Sequence, residues 1–219
     1  MLRVKNVAYW YKDPADALFE DISVDFEAGK LYTIIGKSGS GKTTFLSLIS
    51  GLDVAKKGEI SYEDKILSAK NLTTFRQKDL SIVFQAYNLL PYMSAYQNVR
   101  TALEISGNKI PNIKSYVREK LTEVGIDESL QDKKVSQLSG GQQQRVAIVR
   151  AMATGHKLVV ADEPTGNLDE ETSAAIVSLF KKMAHEQVKI VILVTHDHDV
   201  AAEADVVLEL KHKKLTERK

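Results

Sequence analysis

The sequence predicts an α/β fold built on a parallel sheet, on three observations. Leu158-Val-Val-Ala161 and Ile190-Val-Ile-Leu-Val194 are continuous apolar runs of strand length, the pattern of strands buried on both faces. Between them Ile176, Leu179, Phe180 and Met183 recur at helical spacing across Glu170 to His185, which makes a strand–helix–strand unit. Upstream, the buried-type run Leu31 to Ile35 leads into Gly36-Lys-Ser-Gly-Ser-Gly-Lys42-Thr43. That is a glycine-rich loop with the spacing that cradles phosphate between a strand and a helix.

The bulk properties suit such a fold. A chain of 219 residues holds one substantial core with room for a smaller attached unit. Hydrophobic residues make up 43% and charged residues 27%, ordinary values for a soluble globular protein. A net charge of +1 gives no global attraction to nucleic acid or anionic lipid, so no nucleic-acid partner is expected. The longest apolar runs fall far short of the roughly 20 residues that cross a bilayer, so no direct membrane insertion is expected. The absence of cysteine excludes a disulfide framework and cysteine-ligated zinc. These features predict a cytoplasmic protein.

The elements then read in order. Met1-Leu-Arg-Val-Lys alternates like a strand and lacks the apolar stretch of a secretion signal. Ile22, Val24 and Phe26 alternate with polar residues as a second strand. The helix opened by the phosphate loop carries Phe45, Leu46, Leu48 and Ile49 and stops at Gly51, and Gly58 to Ile66 adds a short sheet segment. The middle changes character. Ser94 to Ser106 is helical, with Val99 and Leu103 inward and Gly107 as its stop. Val117, Leu121 and Val124 mark a second helix ending at Gly125. A third starts at Gly140-Gly141, places Val146, Val149 and Ala153 on one face and stops at Gly155. Val206 to Leu210 is a short final strand, and Lys211 to Lys219 reads as a basic, solvated tail.

Two motifs carry chemistry directly. In the phosphate loop, Gly36, Gly39 and Gly41 let the backbone curl so that successive N–H groups face phosphate oxygens. Lys42 then reaches the β- and γ-phosphates and the Thr43 hydroxyl faces Mg²⁺. The strand Leu158 to Ala161 delivers Asp162 and Glu163 to the carboxyl end of the sheet, where doubly wound folds bind ligands. Asp162 there suits Mg²⁺, and Glu163 suits a carboxylate that polarises an attacking water. Alone, such a pair equally forms an acidic turn; beside a phosphate loop the chemical reading prevails. A third segment, Ser139-Gly140-Gly141, opens a helix whose first N–H groups and serine hydroxyl are expected to be free for an anion. No phosphate-bearing motif adjoins it within the chain. Thr195-His-Asp-His-Asp199 has the composition of a metal cluster.

The octapeptide LSGGQQQR from Leu138, set between the phosphate loop and Asp162-Glu163, makes nearly the whole chain resemble the nucleotide-binding subunit of an ABC transporter. The resemblance implies a P-loop NTPase (RecA-like) core with an antiparallel β subdomain and an inserted α-helical subdomain. It implies one domain over 1–219, with 1–86 and 157–219 as the core and 87–156 as the helical subdomain carrying the signature. It further implies ATP bound by Gly36, Lys37, Ser38, Gly39, Ser40, Gly41, Lys42, Thr43 and Thr44. Lys37 stands where the family usually has a small residue or proline, a variable position. Mg²⁺ falls to Thr43, Asp162 and Gln85, the last also sensing the γ-phosphate. Glu163, His196 and Lys42 become the catalytic set, and the resemblance implies that His198 and Asp199 are bystanders. Tyr11 stacks on adenine, with Tyr9 or Trp10 as alternatives. Two copies pair head to tail as an ATP-dependent homodimer. Ser139, Gly140, Gly141 and Gln142 cap the partner's nucleotide, and Asp169 crosses the interface. As residues alone, Gln85 is equally a surface glutamine and Asp169 equally a helix N-cap.

The stretch Phe84-Gln-Ala-Tyr-Asn-Leu-Leu-Pro91 matches the place where a membrane permease docks, near Gln85 to Pro91. Exposed Tyr87, Leu89 and Leu90 would suit that role, or equally the core of the insert. Together with Ala161-Asp-Glu-Pro-Thr-Gly-Asn-Leu-Asp169, it resembles the branch of macrolide-exporter, lipoprotein-releasing, antimicrobial-peptide-resistance and cell-division ATPases. The expected function is an ATPase, peripheral at the inner face of the cell membrane, that powers export, extraction or mechanotransmission through a separate permease. The alternative is a regulatory ATPase signalling to a cell-wall hydrolase without transport. A soluble translation or repair ATPase would carry a second motor domain, a coiled-coil insertion or zinc-binding cysteines, and none is in the sequence.

Overall fold

The computed structural model describes residues 1–166 and 168–218, and among them two sheets form. The first is antiparallel, in the order β2-β1-β4-β5, from β1 (Leu2–Tyr9), β2 (Phe19–Phe26), β4 (Lys57–Tyr62) and β5 (Lys65–Ile66). The second has the order β10-β9-β3-β8-β7-β6. Its β3 (Lys30–Ile35), β6 (Leu80–Val83), β7 (Leu158–Asp162), β8 (Ile190–Val194) and β9 (Val206–Lys211) are parallel, and β10 (Lys214–Glu217) closes the edge antiparallel to β9.

The continuous apolar strands are explained by layers on both sides. Ile190, Ile192 and Val194 enter one core with Leu158, Val160 and the first sheet. Helix α1 (Lys42–Ile49) lies in that core through Phe45, Leu46, Leu48 and Ile49. Val191 and Leu193 point the other way, into a core with α7 (Glu170–His185), whose Ile176, Val177, Phe180, Met183 and Ala184 form one buried stripe. Emptying a fully buried site such as Phe180 by truncation to alanine costs about 3–5 kcal/mol.

A third core belongs to the helical middle. Helices α3 (Ala95–Ser106), α4 (Ile113–Glu123) and α6 (Gly140–Ala153), with the short α5 (Glu128–Gln131), enclose Val99, Leu103, Val117, Leu121, Val146 and Val149. Ser94 caps α3 in a reciprocal box with Gln97, and Gly107 ends it in the left-handed conformation at φ 74°. Helix α6 serves two cores at once, since Ile148, Ala151 and Met152 join the α7 layer. It therefore links the helical unit to the sheet.

Several stretches differ from the sequence reading. Lys211 to Lys219 is not a solvated tail: Lys214 to Glu217 pairs in register with Lys211 to Leu208, and the Arg218 N–H donates to Val207. Lys219 itself lies outside the described residues. Helix α2 (Leu72–Lys78), strand β6 and the short α8 (His198–Ala202) had no sequence signal of their own. Strand β6 matters most, because it ends two residues before Gln85.

Candidate active site

At the carboxyl end of the parallel strands lies a cleft of about 420 Å³. It is lined by Tyr11, Ser38, Gly39, Gly41, Lys42, Thr43, Thr44, Gln85, Asp162, Glu163 and His196. Five elements or their loops meet there, so residues far apart in the chain share one surface.

The phosphate loop follows β3. Gly36 cannot carry a side chain, because a Cβ would stand 2.6 Å from the Leu210 carbonyl oxygen. Gly39 and Gly41 hold φ of 76° and 100°, conformations that cost a substituted residue energy. The Lys42 ammonium is buried and turns back to donate to the carbonyls of Gly36 at 2.8 Å and Lys37 at 3.2 Å. An ammonium has three donors, which leaves one for a phosphate. The Lys37 side chain is exposed, and that residue contributes its carbonyl. Ser40 donates its N–H to Lys37, while its hydroxyl is buried against Gly36.

Thr43 Oγ1 lies 3.5 Å from Asp162 Oδ1. Burial, aided by the charge of Glu163, raises the Asp162 carboxyl above its ordinary range, against bonding from Thr43 and the charge of Lys42. A half-buried carboxylate beside a hydroxyl, with the Gln85 amide across the cleft, is an all-oxygen donor set that suits Mg²⁺. By contrast, among the described residues no group of three or more His, Asp or Glu side chains converges as a metal site. In Thr195 to Asp199, Asp197 caps α8 through the Asp199 and Val200 N–H groups, and His198 faces a separate surface cleft.

Glu163 is held in the left-handed region at φ 45°. Its N–H donates to Val194 on β8 at 2.8 Å, and its Oε2 lies 2.9 Å from His196 Nδ1. Carboxylate and imidazole thus form a pair at the cleft wall, with Glu163 mostly covered and the ring 70% exposed. Gln85 lies alongside, its Nε2 within 3.5 Å of where a Gly166 side chain would begin.

On the opposite flank Tyr11 is 66% exposed and its hydroxyl lies 2.8 Å from Thr44 Oγ1. Tyr9 is buried, edge-on to Tyr11 at 5.3 Å, and hydrogen-bonded to Asp53, which pushes its hydroxyl up to about 12. Of the two tyrosines, only Tyr11 lines the cleft.

The signature segment is elsewhere: Ser139, Gly140, Gly141 and Gln142 do not line this cleft. Nor are all of their polar groups free. The Ser139 N–H donates to Gln142 Oε1 at 2.9 Å, and its Oγ accepts from the Gln142 N–H at 3.3 Å. The expectation of a free serine is corrected by this capping box, a local S-x-x-Q pattern that leaves the hydroxyl proton to donate. Asp169 caps α7 by accepting from the Thr172 N–H at 2.8 Å, so the helix-cap reading is realised. Asn167, in the same motif, lies outside the described residues. Tyr87 and Leu89 are half-buried, with Leu89 against the helical core, while Leu90 and Tyr92 are exposed.

The family described as ABC transporter matches residues 19–166. The chain belongs to the ABC transporter family. It is an ATP-binding cassette and an ATP hydrolase. An uncharacterized ABC transporter ATP-binding protein of Bacillus subtilis, YclH, is 54% identical over 99% of this chain and 96% of its own length. The lipoprotein-releasing system ATP-binding protein LolD of Idiomarina loihiensis is 37% identical over 97% of this chain and 95% of its own. This agrees with the branch that the motifs resemble. The dimeric structure of the cassette MJ0796 superposes with a TM-score of 0.90 at 35% identity, over 100% of this chain and 98% of that one. A post-hydrolysis state of MJ0796 bound to ADP and Pi superposes equally, with a TM-score of 0.90 at 34% identity. The cassette is thus a P-loop NTPase with mixed sheets and an inserted helical unit, as the resemblance implied.

Two polar side chains of α6 reach the cleft loops without having been singled out in the sequence. Arg150 donates to the Tyr87 carbonyl at 2.9 Å and to that of Asn88, both residues left-handed. Gln144 donates to the Pro164 carbonyl at 2.7 Å. Gln144 falls inside the signature octapeptide, but its target is visible only in three dimensions.

Proposed function

We propose that this cassette, as an ATP-dependent homodimer at the cytoplasmic face of a membrane, powers a separate permease for export, extraction or mechanotransmission. One observation carries the reading: the cleft gathers Lys42, Thr43, Gln85, Asp162, Glu163 and His196, while the signature lies outside it. An anion-attracting helix start with no phosphate motif beside it is explained by a nucleotide on a second copy.

In this reading the phosphate-loop N–H groups and Lys42 hold the β- and γ-phosphates of ATP, and Tyr11 stacks on adenine. Thr43, Asp162 and Gln85 would hold Mg²⁺, which would supply positive charge to offset the charge building on the phosphate oxygens. Water attacks the γ-phosphorus and gives its proton to Glu163, and the bond to the β–γ bridging oxygen breaks to leave ADP and phosphate. His196, which lies 2.9 Å from Glu163 Oε2 and is mostly exposed in the cleft, is the switch histidine whose neutral ring hydrogen-bonds the γ-phosphate. The segment 87–156 acts as the helical subdomain, and exposed Leu90 and Tyr92 beside Gln85 to Pro91 suit a docked permease helix. Among the described residues no helix is long and apolar enough to cross a membrane, so a partner would supply the membrane attachment.

Glu163→Gln tests this. The variant is expected to bind ATP, lose hydrolysis and accumulate as an ATP-bound dimer that pulls a permease from native membranes. Turnover at the parental rate would exclude Glu163 as the base. A hydrolytically dead dimer that recovers no membrane protein would exclude the permease.

A further inference from the structure

We propose that Gln144 is a positioning residue for the reaction: through its bond to the Pro164 carbonyl, the signature helix holds Glu163 in its working place. Gln144 lies one turn into α6 and is 1% exposed. Its Nε2 donates to the Pro164 carbonyl at 2.7 Å, while its Oε1, equally buried, has no partner among the described residues. A buried amide left half satisfied is costly. Methionine would fill nearly the same volume without an orphaned oxygen, so packing does not account for a glutamine here. The bond to Pro164 does.

The bond falls where the backbone needs it. Glu163, at φ 45°, is in a conformation that non-glycine residues keep only when their surroundings over-determine it. Its N–H is fixed by Val194 and its carbonyl accepts from the Gly166 N–H at 3.3 Å. The proline ring sets φ at residue 164. Its ψ, and with it the path out of the turn, is set by where its carbonyl points. Gln144 fixes that direction. The same helix begins at the Ser139 capping box, so a shift of the signature moves the support of Glu163 with it.

The inference rests on Glu163 being the base, and three variants of the full chain separate the two claims by steady-state ATP hydrolysis. A displacement near 1 Å costs catalysis on the order of 100-fold. Gln144→Met is therefore expected to lower kcat by roughly 10- to 100-fold and to leave KM for ATP within about two-fold. Its ATP-bound dimer should persist on gel filtration. Gln144→Glu keeps the shape but cannot donate when ionised. Its rate relative to the parent should rise as pH falls from about 8 to about 6, where a buried carboxyl regains its proton and an O–H donor. Parental kcat in Gln144→Met overturns the proposal. So does a joint change of kcat and KM with loss of the dimer, which would make Gln144 only a prop of the signature helix. Should the methionine variant fail to fold, the pH ratio of Gln144→Glu decides, and a flat ratio overturns the proposal. Glu163→Gln, run alongside, reports on the base itself. If it is inactive while Gln144→Met is parental, only the positioning role falls; if it keeps turnover, both fall.

Discussion

Lys189 stands just ahead of β8, the strand that runs up to His196, and its ammonium is buried without a hydrogen-bond partner among the described residues. Burial lowers it from 10.5 to about 8. That difference corresponds to about 3 kcal/mol against the charged form in the folded state. Because the folded value lies below the unfolded one, the cost is full below pH 8, where both states carry the proton. Between about 8 and 10.5 the unfolded chain binds more protons, so stability rises with pH. Above that window the cost is gone. Lys189→Met removes the charge and keeps an unbranched apolar side chain. Denaturant unfolding at pH 7 should then show a gain of up to about 3 kcal/mol, or roughly 6–12 °C in Tm for a chain of this size. At about pH 10 the gain over the parent should shrink below about 1 kcal/mol. A gain that stays constant with pH, or none at pH 7, refutes the argument that the ammonium is charged and stranded at the foot of β8.

Asp162→Asn should raise the melting temperature of the nucleotide-free protein while abolishing Mg²⁺-dependent hydrolysis. Burial raises that carboxyl above 3.8, so ionisation opposes folding above the raised value and the gain should vanish on acidification toward 3.8; scanning calorimetry across pH checks the sign. Ser139→Ala removes both a helix cap and the hydroxyl proton. It should cost about 1 kcal/mol of stability and leave ATP binding to the monomer intact while hydrolysis falls; equal loss of both would place the signature in its own chain's site. Tyr11→Ala should weaken ATP binding by about 1 kcal/mol or more through lost stacking, whereas Tyr11→Phe should retain it. Fluorescent-nucleotide titration separates the two, and equal weakening by both would assign the binding to the bond with Thr44.

Much of this site was legible because its motifs are local. A glycine loop opens a helix within its own eight residues, and Asp162-Glu163 ends its own strand, so spacing alone carries the reading. Strand β6 was not legible: four residues with Ser81 in the middle read as no strand. Ser81 is tolerated only because the Ala151 carbonyl, the Thr154 hydroxyl and His156 Nδ1 surround it, and all three come from the far end of the helical insert, about 70 residues on. Strand β10 was hidden for a related reason. Lys214-Leu-Thr-Glu217 looks like a charged tail until β9 supplies its partner, since an edge strand needs only one apolar face.

By itself, then, the sequence determined the phosphate loop, the strand that ends at Asp162-Glu163 and most of the helices, because capping, glycine turns and apolar periodicity act over a few residues. Tertiary structure alone decided which of these meet. It set Glu163 against His196, brought Thr43 to Asp162 and passed Gln144 across to Pro164. Such contacts join segments from 20 to 119 residues apart and depend on how twisted strands and packed helices bring their ends together.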